Sequence, residues 1–478
     1  MRITVLTLAA LLASGTSLAA DKPTALSADA LKIATTLREQ ALQDDVAYDV
    51  VAGLSIEVGQ RLAGSEGDQR GRDWMVAKFK ALGFDKVWTE PVTHPKWVRR
   101  SESASLTTPY PHALAVTALG NSAATPSGGL RAELVAFDSL DALKAAEAGS
   151  VRGKIVYIGT RHMHAHAKGV GYGQGSAIRT GGPSIASEKG AAAFVLRSVG
   201  SDDNRLAHTG MTRFADGVAA IPAAAVSNPD ADLINAVLKK GEPVTMQLNL
   251  DVGMDGSYTG ANVIAEISGR DKNSKQYFLT GGHLDTWDLG QGALDDGAGV
   301  AIATAAAHLI GQLEQRPRRS IRVVAFANEE SGLYGGKAYG ERHREEIGNA
   351  VLGTESDAGA DRIRKITASV KPSARAAVDS IAEVLKPLGI EYDATAPGVG
   401  GSDLSAVHAV GMAGLSLHQD TTRYFDWHHT ANDTLDKIDP EQLRQNVAAY
   451  VVVAYLAAEA DGDFGSAPGA FAKDAAER

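Results

Sequence analysis

The chain contains no cysteine, which excludes disulfides, thiolate metal ligands and thiol catalysis together. Any metal site must therefore be built from His, Asp and Glu. An excess of positive charge is also missing: 47 Lys and Arg stand against 57 Asp and Glu, a formal net charge of −10. This argues against a nucleic-acid backbone binder and against attraction to anionic membranes. No internal repeat is visible. The stretch Gly398-Val399-Gly400-Gly401-Ser402-Asp403 lacks a Gly-x-Ser-x-Gly elbow, so Ser402 reads as pocket wall rather than nucleophile. Long apolar runs are scarce. The first twenty residues place Arg2 before an apolar run that ends in Leu18-Ala19-Ala20, and Ser14, Gly15 and Thr16 interrupt it. That layout is a secretory signal peptide rather than a membrane span. The expectation is a secreted or periplasmic protein with no membrane span in its mature form.

What is present is an enzyme-sized soluble chain of 478 residues, 44% hydrophobic and 22% charged, long enough for two or three compact units. Helical spacing appears over Ala28 to Leu42, and again after Ser65, where Trp74, Met75, Phe79 and Leu82 recur as core candidates. Phe84 to Glu90 reads as a strand. From about Arg131 the texture changes to short apolar runs separated by Gly- and Asp-rich turns, which predicts a small β-rich domain. Longer α/β units resume at 256, with strands over Tyr277 to Thr280 and Ile321 to Ala327 and a helix from Gly299 to about Gln312. Asp439-Pro440 opens a last helix running to about Ala458, with Pro at the start, where its missing N–H is harmless. The expected division, with the insertion as implied by the resemblance given below, is a signal peptide over 1–20, a first catalytic segment over 21–124, the insertion over 125–255, a second catalytic segment over 256–465 and a flexible tail over 466–478.

The densest chemistry follows a strand: Gly282-His283-Leu284-Asp285, then Asp295-Asp296-Gly297. Residues just past the carboxyl ends of strands in an open α/β sheet line the ligand crevice. His283 offers an imidazole nitrogen to a metal, Asp285 is placed to orient the other ring nitrogen, and Asp295 has two oxygens with which to bridge two cations. A second strand ends in Asn328-Glu329-Glu330, where one acid can hold metal while the other, Glu329, acts as general base toward water and then toward the leaving amine. Asp357 and His429 complete the count. With Asp295 shared, one zinc takes His283 and Asp357 and the other takes Glu330 and His429, with a water or hydroxide between metals about 3.5–4 Å apart.

These segments resemble the co-catalytic zinc aminopeptidase family, and most of all its carboxypeptidase Q branch. The resemblance runs through Val58 to Ser65, His208-Thr209-Gly210, Gly282 to Gly299, Glu329-Glu330 and Asp439-Pro440. It implies two Zn(2+) per chain on His283, Asp295, Glu330, Asp357 and His429. It chooses His429 over His428 because Thr430 follows it, leaving His428 to line the substrate pocket. It also implies a mixed-sheet α/β zinc-peptidase sandwich, phosphorylase/hydrolase-like, with the insertion as a protease-associated domain over the cleft. Cleavage of dipeptides or short peptides with free termini follows from it, as does, often, a homodimer. Tyr424, His428, His208 and Ser402 are the candidate substrate contacts. His162, His164 and His166 alternate in a way that would share one face of a strand; they read as an exposed loop or part of the cleft rim, with a third metal site as the alternative. Two other readings remain: a receptor-like binding protein without catalysis, and a single-zinc acyltransferase of the glutaminyl cyclase type.

Overall fold

A computed structural model describes residues 22–471, so the expected signal peptide over 1–20 lies outside the described residues. Eight strands come first: β1 (Lys86–Thr108), β2 (His112–Leu114), β3 (Val116–Ala118), β4 (Leu130–Ala136), β5 (Ile155–Ile158), β6 (Ala193–Arg197), β7 (Ala223–Val226) and β8 (Thr245–Ile267). Six more follow: β9 (Tyr277–His283), β10 (Ser320–Phe326), β11 (Ala350–Glu355), β12 (Ile363–Ser369), β13 (Glu391–Tyr392) and β14 (Gly414–Gln419). They join in the order β13-β12-β14-β11-β9-β10-β8-β4-β5-β6-β7-β3, with β1 paired along β8 and β2 along β1.

The centre of the sheet is parallel, β10 with β9, β9 with β11 and β11 with β14, and it is bordered by the antiparallel pairs β10 with β8 and β12 with β14. Every residue of β9 and β11 is buried, as expected of parallel strands covered on both faces. One face is covered by the helices Ala28–Ala41, Ala298–Gly311 and Pro440–Glu459, which pack on one another. The other carries Tyr334–Arg342 and Ser402–Ala409, whose Tyr339, Leu404 and Val407 close on Ile264, Leu279 and Val324 of the sheet. Local chemistry sets the helix starts. Ser65 accepts a hydrogen bond from Asp68 N at the head of Glu66–Ala81, and Asp439 accepts from Glu441 N and Gln442 N beside Pro440. The stretch Ala293–Gly311 is long and apolar enough to cross a membrane, but it is the buried core helix of the sheet.

Two expectations need correction. The segment expected to be β-rich is α/β: β4, β5, β6 and β7 lie parallel, with the helices Leu140–Ala145 and Tyr172–Glu188 between successive strands and Asn228–Leu238 following β7. The longest of these helices, Tyr172–Glu188, carries four glycines and Pro183 and little apolar periodicity, so it does not stand out in the sequence. The boundary at 125 also falls inside this unit, because β3 pairs with β7, and Leu114 and Ala118 share a core with Ile155, Val195 and Leu248. The second correction concerns the tail. Phe464 is buried, Ala467 N and Gly469 N donate to Gly411 O and Val410 O, and Phe471 stacks on His408 at 4.9 Å, so residues 466–471 dock instead of trailing free. The remainder of the expected tail, 472–478, lies outside the described residues.

Candidate active site

Three parallel strands deliver acids and an imidazole to one place. His283 ends β9, Glu329 and Glu330 follow β10, and Asp357 follows β11, all at carboxyl strand ends. Asp295 reaches in from the segment before the core helix, and its peptide bond to Asp296 is cis. His429 comes from the loop after the short helix Tyr424–Trp427.

Asp295 sits at the middle. Its Oδ1 is 3.1 Å from His283 Nε2 and its Oδ2 is 3.2 Å from His429 Nε2. His283 Nε2 is also 3.5 Å from Asp357 Oδ1, and His429 Nε2 is 3.0 Å from Glu330 Oε2. Two half-sites thus share one carboxylate. The other ring nitrogens are already used: His283 Nδ1 donates to the Asp285 backbone oxygen at 2.9 Å, and His429 Nδ1 donates to the Thr209 carbonyl at 3.1 Å. A carbonyl can only accept, so each Nδ1 carries a hydrogen and each Nε2 faces the carboxylates.

That arrangement fits a cation. Asp295 Oδ2 and Glu330 Oε1 are buried without a hydrogen-bond donor. In the absence of metal the rings must take a second proton to face carboxylates. Burial opposes this, yet Asp285, Asp295 and Asp357 hold His283 well above the usual imidazole range, and Glu330 and Asp295 do the same to His429. A divalent ion would replace those protons. Ligand atoms of His283, Asp295 and Glu330 lie within 4.8 Å of one another, as do those of Asp295, His428 and His429. Asp296 also approaches His283 and Asp357, but its oxygens accept from His283 N at 3.0 Å and Gly299 N at 2.9 Å, which commits them to the backbone.

Asp285 corrects the expected division of labour. Its carboxylate is 3.6 Å from His283 Nδ1 and the backbone oxygen takes that hydrogen; the carboxylate instead accepts from Glu329 N at 2.9 Å and Glu330 N at 3.3 Å. It therefore holds the acidic pair. Burial raises the Glu329 carboxyl well above its ordinary range, His283 opposes this, and Asp357 and Glu330 add to it. Ser402 donates its hydroxyl to Asp357.

His428 stacks on His429 with ring centroids 3.5 Å apart, and burial together with the charge of His429 pushes it well below the usual range. Its Nε2 lies 3.6 Å from Asp295 Oδ2, farther than that of His429. His428, Tyr424 and Ser402 line a cleft of about 410 Å3 together with Asp295, Glu329 and Asp357. His208 does not. Its ring bridges His428 O at 2.7 Å and Asp202 Oδ1 at 2.8 Å, fully buried, because the chain at His208-Thr209 runs against His428-His429 and leaves the ring behind the site. His162, His164 and His166 lie in a loop with no strand, and among the described residues they join no group able to hold a metal.

Several contributors were not anticipated. Arg61, fully buried, donates to Leu284 O, Gly59 O, Gln291 O and Gly292 O, stitching the His283 segment to the Asp295 segment. Asp433 accepts from Leu294 N at 2.7 Å and Asp295 N at 3.1 Å, and burial followed by the charge of Asp295 raises it to about 7. The insertion supplies Tyr172, Arg179, Met211 and Arg213 to the cleft. His429 and Asn328, at two ends of the site, hold positive φ of 62° and 51°, the kind of strain that gathers at functional sites.

Comparison with known proteins agrees with this geometry. Residues 262–454 match the model of peptidase family M28. The chain is 35% identical over 412 residues to carboxypeptidase Q of Homo sapiens, covering 86% of this chain and 85% of that protein. The crystal structure of a peptidase M28 precursor from Shewanella amazonensis is 48% identical, with a TM-score of 0.89 over 92% of this chain and 99% of that one. A zinc aminopeptidase from Bacillus subtilis, 19% identical with a TM-score of 0.61 over 86% of this chain and 94% of its own, shares the fold. A mixed α/β sheet with its acids and imidazoles at the parallel strand ends, read beside these relatives, places the chain in metallopeptidase family M28, in its carboxypeptidase Q branch.

Proposed function

We propose that the chain is an exported zinc exopeptidase that hydrolyses dipeptides or short peptides with free termini. The observation that carries this is Asp295, one oxygen toward His283 and the other toward His429, a donor set suited to two ions. In this reading His283 and Asp357 would hold one zinc and Glu330 and His429 the other, with Asp295 available to both. The ions, when bound, supply Lewis acidity toward the peptide carbonyl and water. The chain's own residues do the rest. Glu329, held by Asp285 at the cleft wall, takes the proton from attacking water and passes it to the leaving amine. Asp285 fixes the ring of His283 and the backbone of both glutamates. The insertion, a protease-associated domain in this reading, walls the cleft. Export rests on Arg2 and the apolar run after it.

The test is hydrolysis of a dipeptide panel beside N-blocked and C-amidated versions, with and without chelator, on zinc-loaded protein of measured stoichiometry. Chelator-sensitive cleavage at two zinc ions per chain is expected. Absence of any chelator-sensitive hydrolysis overturns the reading in favour of a binding protein, and one zinc per chain with acyl transfer would favour the cyclase type.

A further inference from the structure

Arg99 stands where the pairing of β1 with β8 shifts register, between Arg99 and Ser101, the kind of irregularity that re-aims a side chain. Arg100 pairs with Asp251 at the surface, whereas Arg99 turns inward and is 7% exposed. Its Nε donates to both oxygens of Asp288 at 3.0 Å, its Nη1 to Glu102 Oε2 at 2.7 Å and Ala118 O at 3.1 Å, and its Nη2 to Thr209 Oγ1 at 3.1 Å. One guanidinium therefore joins the ribbon of β1 and β8, the insertion and the segment His283 to Asp288, a span that a point charge could not cover. Two of its partners bear on the same imidazole. Thr209 takes the His429 Nδ1 hydrogen on its backbone oxygen at 3.1 Å. Asp288 follows Trp287, whose buried indole meets the His429 ring edge-on with centroids 5.9 Å apart and that of Trp97 at 6.2 Å. The indole nitrogen has no acceptor, so packing and the chain at Asp288 hold it in place. Gly120 makes room for it: a Cβ there would stand 2.1 Å from the indole.

We propose that Arg99 is a positioning residue for the His429 half of the site, acting on that ring from two sides, through Thr209 on Nδ1 and through Asp288 on the packing of Trp287. This rests on the reading above in which His429 and Glu330 hold one zinc and His283 and Asp357 the other. His283 depends on neither link. Its Nδ1 hydrogen goes to the Asp285 backbone oxygen at 2.9 Å, and Arg61 secures its segment by donating to Leu284 O at 2.7 Å. Groups that orient a metal-binding imidazole are worth about 10- to 100-fold in affinity. Loss of Arg99 therefore weakens one zinc and spares the other, a distinction that general loosening of the fold would not make.

The experiment titrates zinc against a chelating dye in the wild type, Arg99→Met, Arg99→Lys, His429→Ala and the double variant of Arg99→Met with His429→Ala. The wild type is expected to take up two zinc ions, and Arg99→Met to weaken one of them by about 10- to 100-fold while leaving the other as it was. With His429 already replaced, Arg99→Met should leave the remaining affinity unchanged, since the ring it positions is gone. Arg99→Lys keeps a positive charge opposite Glu102 and Asp288, and with it the fold, yet one ammonium cannot reach Asp288 and Thr209 together. It should show the same selective loss, and it decides the matter if Arg99→Met does not fold. Equal weakening of both ions, or the same weakening with and without His429, makes the role merely structural and overturns the proposal; wild-type affinities in the folded Arg99 variants overturn it too. Two ions bound by the wild type with no selective loss remove the proposal alone, whereas a wild type that takes up fewer than two removes the two-zinc reading and the proposal with it.

Discussion

The carbonyl oxygen of Thr209 lies 3.1 Å from His429 Nδ1, and the Thr209 amide donates to the His429 carbonyl at 3.0 Å. A residue of the insertion thereby sets the tautomer of an imidazole in the catalytic body. His208, next to it, anchors the pairing through His428 O and Asp202. Replacing His208 with Ala leaves those buried groups unpaired, so a stability loss of about 1–3 kcal/mol is expected. Partners that orient a ligand are worth about 10- to 100-fold in metal affinity. A competition titration against a chelating dye measures it, and unaltered zinc affinity would contradict the coupling.

Glu329→Gln keeps the shape of the side chain and removes its basicity. Metal content should stay at the wild-type value while kcat falls about 100- to 10,000-fold, the usual contribution of a positioned general base. Elemental analysis and peptide hydrolysis on one preparation decide it; a fully active variant removes Glu329 from the role.

Stripping metal leaves Asp295, Glu330 and Asp357 crowded beside Glu329 with only protonated imidazoles to offset them. Folded-state binding adds stability with ligand concentration, about 4 kcal/mol at a thousandfold excess over Kd. Calorimetry of chelated and zinc-loaded protein should show a higher Tm for the latter, rising with free zinc. Coincident melting curves would mean that no site forms in the folded chain.

Away from the site, Glu90 gives a pH-dependent contribution. Burial alone would raise its pKa, but His343, Trp88 and Arg342 bring it down to about 2 from 4.5. A depressed carboxylate stabilises the fold above its unfolded pKa and loses that contribution as pH falls from 4.5 toward 2. The loss amounts to as much as about 3 kcal/mol at 1.36 kcal/mol per unit. Denaturant titrations between those pH values should show Glu90→Gln with a flatter acid limb than the wild type; parallel limbs would rule this carboxylate out.

The residues that contact a would-be cation were legible because their types are few and their places fixed by strand ends. His283, Glu329 and Glu330 announce themselves by following apolar runs, and Asp295 by the doubled acid after Gly292-Ala293-Leu294. What supports them was hidden for a physical reason. The acceptors of His283 and His429 are backbone oxygens of Asp285 and Thr209, and a carbonyl has no letter in a sequence. Asp285 was assigned the right neighbour and the wrong atom. Arg61 acts across more than 200 residues of chain separation, and nothing local distinguishes it from a solvated arginine. The fold behaved alike: the long amphipathic helices and buried strands of the body follow from periodicity, whereas the helices of the insertion, such as Tyr172–Glu188 with its glycines and Pro183, do not.

β1 and β8 each run for 23 residues without a break, paired from Lys86 with Glu266 to Thr108 with Thr245. The chain therefore leaves the catalytic body and returns to it on a two-stranded ribbon, not on loose linkers. Register shifts between Pro95 and Trp97, between Arg99 and Ser101 and between Leu106 and Thr108 bend and twist the ribbon where pairing is irregular. The orientation in which the insertion presents Thr209 to the His429 ring is therefore written in the pairing of two strands far from either residue.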